Sequence, residues 1–212
     1  MAHRRSRLAS SGPRDDLSSL VASPALARLL IHFVLHSSHA LGFRALQRHT
    51  GLGHRSLVNE LDRLTSLGII TREAPSDGPG PLYRALPRAR IWRLARELVR
   101  ETAPPSRILE DALAHLPELD LAFVFGSIAT DKARPDSDVD LLIVGSRLDT
   151  TSIARETLEA AALLGREVNV TSLTAEQLRA RAQRGSRFIR TVLGGKKHWV
   201  RGDESRLARL LA

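Results

Sequence analysis

The chain has 212 residues, 42% of them apolar, with 32 Lys and Arg against 23 Asp and Glu and no cysteine. That length suits one large domain or two modest ones, no apolar run approaches the roughly 18 residues of a membrane span, and the missing cysteines exclude disulfides and thiolate metal sites. The charge is uneven: residues 1–110 hold 17 Arg against 9 acids (+8), and residues 111–212 hold 15 Lys and Arg against 14 acids (+1).

Residues 1–20 mix Arg, Ser, Gly and Asp without periodicity, which predicts a flexible basic arm carrying Arg4, Arg5 and Arg7. No apolar segment follows it, so it does not read as a secretory signal, and a cytoplasmic protein without membrane contact is expected. PALARLLIHFVLHS is apolar at Leu26, Leu29, Leu30, Phe33 and Val34, a helical period opened by Ser23 and Pro24. FRALQRHTG predicts a short helix stopped by Gly51. HRSLVNELDRLTSLG predicts a longer one with Leu57, Leu61, Leu64 and Leu67 on one stripe. Two β-like runs, IITRE and LYRAL, then flank the turn-rich APSDGPGP.

Three helices followed by a two-stranded ribbon is the order of a winged helix-turn-helix, with TGLG as its tight corner. IWRLARELVRE reads as a linking helix with Ile91, Leu94, Ala95 and Leu98 as its apolar positions, and the chain breaks at Ala103-Pro104-Pro105. The expected division is a 1–20 arm, a 21–102 winged helix with its linking helix, and a 103–212 second domain.

Beyond the break, SRILEDALAHL predicts a helix capped by Ser106. LAFVFG is a buried strand entering Gly126-Ser127, and VDLLIV is a second. TSIARETLEAAALLG is helical, REVNVTSL is a third strand, and TAEQLRARAQ is a helix opened by Thr174. RFIRTVLGGKKHWVRG predicts a short helix and a final strand. Strands interleaved with helices indicate a mixed α/β or α+β domain.

In a winged helix the exposed face of the third helix meets DNA, and off the leucine stripe it offers His54, Arg55, Ser56, Asn59 and Arg63. Arg and Asn suit bidentate pairing with guanine and adenine. Arg44 and Arg48 on the preceding helix, and Arg72 and Arg84 beside the wing, suit phosphates. Half-site reading of duplex DNA then implies a homodimer. The alternatives are a protein-docking module and an arginine-rich composition, since 29 of the 32 basic residues are Arg. His32, His36 and His39 offer only nitrogen ligands with no carboxylate or thiolate nearby in the chain, and are read as structural or surface residues.

The most specific stretch is GSIATDKARPDSDVDL, residues 126–141. A buried strand ends at Gly126, whose missing side chain lets a phosphate approach the backbone; Ser127 adds a hydroxyl, and ATDKA can begin a helix whose amides favour an anion. Alternation in the next strand puts Asp138 and Asp140 on one face and Val139 on the other. Two carboxylates beside a phosphate cradle can hold Mg²⁺ and present nucleotide phosphates to it. The bland alternative is a polar turn before an acidic strand start, but Asp140 abuts LLIV, where an unpaired charge is costly to bury.

This stretch resembles the signature of the polymerase-β-type nucleotidyltransferase superfamily, G-S, about ten residues, then D-x-D. The chain over roughly 24–202 is similar to minimal nucleotidyltransferases fused behind a winged helix-turn-helix. GREVNVTSLTAEQLRAR, residues 165–181, adds to the likeness. The resemblance implies an α+β fold in which a winged helix-turn-helix precedes a mixed sheet flanked by helices. Gly126 and Ser127 would then bind the phosphates of an NTP, with Lys132 or Arg134 standing in for a missing loop cation. Asp138 and Asp140 would be the Mg²⁺ ligands and catalytic carboxylates.

The implied function is a DNA-binding transcriptional regulator that senses NTP or transfers NMP to an acceptor. The alternative is an active nucleotidylyltransferase, for instance an antitoxin that adenylylates a protein partner, with the winged helix as a dock. The chain departs from the family where a third carboxylate belongs: that position matches Asn169, and Asn cannot accept a proton near neutral pH. Glu167, expected on the same strand face, is the candidate substitute. Where minimal nucleotidyltransferases often read G-S-x-A-R-G, this chain keeps Ala129 but has Thr130 and Asp131 in the last two places. Turnover is thus left open.

Overall fold

The computed structural model describes residues 16–75, 80–116, 118–130, 134 and 137–212; residues 1–15 of the expected 1–20 arm and Lys132 lie outside them, while residues 16–20 belong to a helix with Leu17 buried rather than to a flexible arm. The first half begins with α1 (Asp16–Val21) and α2 (Pro24–Leu35). Ser23 caps α2 by accepting from the Leu26 amide, with Pro24 at the first helical position, where its absent N–H costs nothing. Leu26, Leu29, Leu30, Phe33 and Val34 are buried as the period predicts. So are Ala27, Ile31, His32 and Leu35, so α2 is covered nearly all round rather than along one stripe.

A short strand, β1 (Ala40–Gly42), was not foreseen; α3 (Phe43–Thr50) and α4 (His54–Ser66) follow it. Gly51 ends α3 in the left-handed region, where glycine carries no side-chain penalty. Leu57, Leu61 and Leu64 of α4 are fully buried, whereas Leu67 is half-exposed because it is the C-cap, one turn too late for the stripe. β2 (Ile70–Glu73) and β3 (Leu82–Ala85) pair antiparallel, and β1 joins the far edge of β3, giving the order β1-β3-β2.

Helix α5 (Arg90–Thr102) corrects one expectation: Trp92, Ala95 and Val99 are its buried stripe, while Ile91 and Leu94 face solvent. Helix α6 (Pro105–Ala112) corrects another. Its cap position is Pro104, with Pro105 as the first helical residue, and Ser106 is buried instead of capping. The expected break at Ala103-Pro104-Pro105 is this helix-to-helix corner.

The second half is a four-stranded mixed sheet, β6-β5-β4-β7, built from β4 (Leu119–Phe125), β5 (Val139–Gly145), β6 (Val168–Leu173) and β7 (His198–Arg201). β4 is antiparallel to β5 and β7, and β5 is parallel to β6 through the crossover helix α7 (Thr150–Leu164). Helices α8 (Ala175–Gln183), α9 (Arg187–Gly194) and α10 (Glu204–Leu211) complete it. Thr174 and Gln177 form a reciprocal capping box on α8. α10, opened by Asp203, was not foreseen.

Both sheet faces are covered, which is why β4 and β5 read as continuous apolar runs rather than alternating ones. Leu121, Phe123, Leu142 and Val144 face Leu178, Ile189, Val192 and Leu207 of α8, α9 and α10. On the opposite face Ala122, Val124, Leu141 and Ile143 join a core that runs without interruption through α6 and α7 into α2, α4 and α5. The two halves therefore share one apolar interior, with α2 packed against elements of both.

Candidate functional site

β4 ends at Gly126, whose φ of +78° places it in the left-handed region. A Cβ here would also push the Asp140 carboxylate aside, so glycine both suits the backbone and leaves that side chain in place. Gly126→Ala is expected to cost about 1–3 kcal/mol from backbone strain alone and to displace Asp140. A melting curve paired with a nucleotide titration would check this, and unchanged values for both would refute it.

Ser127 opens a single 3-10 turn, Ile128–Thr130. The Thr130 hydroxyl contacts the carbonyls of both Gly126 and Ser127 at 3.1 Å. Thr130, read in sequence as a departure from the family pattern, is thus what ties the turn closed. At the other end of the loop the Ser137 hydroxyl accepts from the Arg134 amide at 2.8 Å, just before Asp138.

Asp138 is exposed and Asp140 is half-buried, while Val139 between them is fully buried on the opposite face. Asp140 stands opposite Phe125 of β4 and opposite Asn169 of β6, so it sits between two strand neighbours. The Asn169 amide donates to the Asp138 carboxylate at 3.4 Å. Asp140 is held above the usual carboxylate range, first by burial and then by the Asp138 charge, with an opposing hydrogen bond from Asn169. Burial and a neighbouring like charge both disfavour the ionised form. The all-oxygen donor set of the two acids and the relief a cation would bring both fit Mg²⁺.

Glu167 is exposed and lies one residue before β6. Strand pairing begins at Val168, so alternation does not constrain it. It borders a groove against α7 with Val168, Val170 and Ser172, and its carbonyl accepts from the Val139 amide at 2.8 Å. Asn169 is therefore the β6 side chain beside the aspartates. Sequence reading also passed over Phe188 of α9: it is exposed at 42% and packs edge-on against Phe125 with ring centroids 5.9 Å apart.

The proposed DNA-contacting residues are spread differently. His54, Arg55, Ser56, Asn59 and Arg63 are all exposed on α4, with the His54 ring against Phe43 and Arg63 3.8 Å from Glu60. Arg44 and Arg72 are exposed as well. Arg84 is instead engaged by Glu73 at 3.1 Å and by the Ser38 carbonyl. Arg48 lines a cavity of about 570 Å³ shared with Arg28, Arg107 and Arg201, toward the second half.

The histidines find partners from the second half. Asp111 of α6 lies 3.2 Å from His32 and 3.2 Å from His36, and Glu156 of α7 lies 3.3 Å from His115. The expectation that no carboxylate is near them holds along the chain and fails in space. The two imidazoles hold Asp111 down to about 2 against the opposing effect of its burial.

Residues 108–189 match the family model described as "Polymerase beta, Nucleotidyltransferase", from α6 to α9 with the 126–140 loop inside. This segment is nucleotidyltransferase-like. Among solved structures, a mutant of the toxin-antitoxin MntA-HpeT is 13% identical, covering 50% of this chain and 80% of that one, with a TM-score of 0.35. A toxin-antitoxin with AMP-PNP is 15% identical, covering 47% and 75%, with a TM-score of 0.34. No curated protein matches the chain.

Proposed function

We propose that Gly126, Ser127, Asp138 and Asp140 bind a Mg²⁺–nucleoside triphosphate, and that the chain is a DNA-binding transcriptional regulator in which this site senses nucleotide. The observation that carries the nucleotide reading is the pair of carboxylates at the start of β5, beside a left-handed turn at Gly126 and bridged by Asn169. Mg²⁺ held by Asp138 and Asp140 would neutralise the phosphates and polarise them. The exposed ring of Phe188, next to Phe125 on the aspartates' face, is placed to stack on a base.

Asn169 favours sensing over transfer. Its amide can orient Asp138 but cannot take a proton from an attacking hydroxyl. For the front half, the support is the +8 charge of residues 1–110 and a row of exposed donors along α4 behind a buried leucine stripe, the arrangement a winged helix presents to a major groove. Binding as a homodimer belongs to the same proposal.

The full chain would be titrated with labelled ATP and GTP in Mg²⁺. Wild type is expected to bind at least one of them, and Asp138→Asn/Asp140→Asn to bind at least about tenfold more weakly. Equal binding by both proteins would refute the site. Binding to duplex DNA is expected to fall steeply with added salt and to change with nucleotide; no duplex binding at low salt would remove the regulator.

A further inference from the structure

We propose a second metal site, distinct from the aspartate pair, that takes a borderline divalent ion of the zinc class between α2, α6 and α7. His32 and His36 are four residues apart on α2 and therefore share a face. Asp111 from α6 reaches both, and the ligand atoms of these three residues all lie within 4.8 Å of one another. His36 also belongs to a second such group with Glu156 and Glu159 of α7, so carboxylates flank the three-ligand cluster on its α7 side, and water can complete its coordination.

The spacing fits a metal well. Zinc lies roughly 2.0–2.1 Å from its nitrogen and oxygen ligands, which sets neighbouring ligand atoms about 3.3 Å apart in a tetrahedron. Asp111 oxygens stand 3.2 Å from His32 Nδ1 and 3.2 Å from His36 Nε2. Those separations are at the long limit for charge-assisted hydrogen bonds and near the edge of that tetrahedron.

The surroundings are also suited to holding ligands in place. His32 is buried and Asp111 nearly so, and the cluster borders a cavity of about 400 Å³ that gives an ion a way in. Glu156, 7% exposed, is oriented by Arg155 at 2.9 Å and His115 at 3.3 Å, the outer-shell support metal-binding carboxylates usually have. With imidazole and carboxylate and no thiolate, the donor set selects Zn²⁺, Co²⁺ or Ni²⁺ over Cu(I) and iron–sulfur centres.

Zn²⁺ would be titrated into the chelator-treated full chain in excess Mg²⁺, which occupies oxygen-only sites. One Zn²⁺ per chain is expected, with a rise in melting temperature. Co²⁺ in its place should give the visible absorption of a tetrahedral nitrogen–oxygen site. His36→Ala, at a partly exposed position, should weaken Zn²⁺ binding by at least about 100-fold and abolish the melting shift. Asp111→Asn, nearly isosteric, should do the same while its circular dichroism stays native. No Zn²⁺ uptake by wild type would overturn the proposal, as would uptake unchanged in His36→Ala.

Discussion

Asn169→Asp is expected to raise nucleotidyl transfer by about 100-fold or more, the scale of a positioned general base. The substitution is nearly isosteric and puts a carboxylate where an amide now lies 3.4 Å from Asp138, opposite Asp140 in the β5–β6 register. It also adds a third negative charge beside Asp140, which burial and the Asp138 charge already hold above the usual carboxylate range. Without Mg²⁺ the variant should therefore be less stable than wild type, and with Mg²⁺ the difference should close or reverse. Release of labelled pyrophosphate from each NTP, in wild type and variant, reads the first effect, and melting curves with and without Mg²⁺ read the second. A variant that gains neither transfer nor Mg²⁺-dependent stability would show that Asn169 is not the position that withholds turnover.

Arg201→Ala is expected to lower stability by roughly 3 kcal/mol, about 6–12 °C in melting temperature for a chain of this size. The Arg201 guanidinium donates to four backbone carbonyls at the end of α6 and the start of β4. These are Leu116 at 2.6 Å, Ala114 at 2.9 Å, Leu119 at 3.2 Å and Leu113 at 3.3 Å. The figure is less than four full unsatisfied carbonyls because the site borders a cavity, through which water can replace some of the bonds. Arg201→Lys should recover only part of the loss, since an ammonium cannot span the same fork of acceptors. If Ala and Lys behaved alike and close to wild type, the network would be a surface decoration.

The parts of this molecule legible in the sequence are those fixed by local chemistry. Ser23-Pro24 announces α2, Thr174-x-x-Gln177 announces α8, and the apolar runs of β4 and β5 announce strands covered on both faces. The α5 stripe was misread because two stripes share Ala95. Ile91-Leu94-Ala95-Leu98 and Trp92-Ala95-Val99 both have helical spacing, and burial of Trp92 decides between them. The turn at 126–130 was legible as a glycine requirement, but the tie made by Thr130 was not. Neither was the meeting of His32 with Asp111, 79 residues along the chain, because nothing local to either residue records it.

Helix α2 bears on how the protein comes apart. A helix sealed on one side by α4 and α5 and on another by α6 and α7 has no face left over for a separating plane. Cutting the chain at Ala103 would strip apolar cover from α2 rather than release two finished modules. The whole chain is then expected to melt in one step, which a calorimetric scan would check. A nucleotide signal would reach the α4 surface as a small repacking around a shared rod, not as the swing of one body on a hinge.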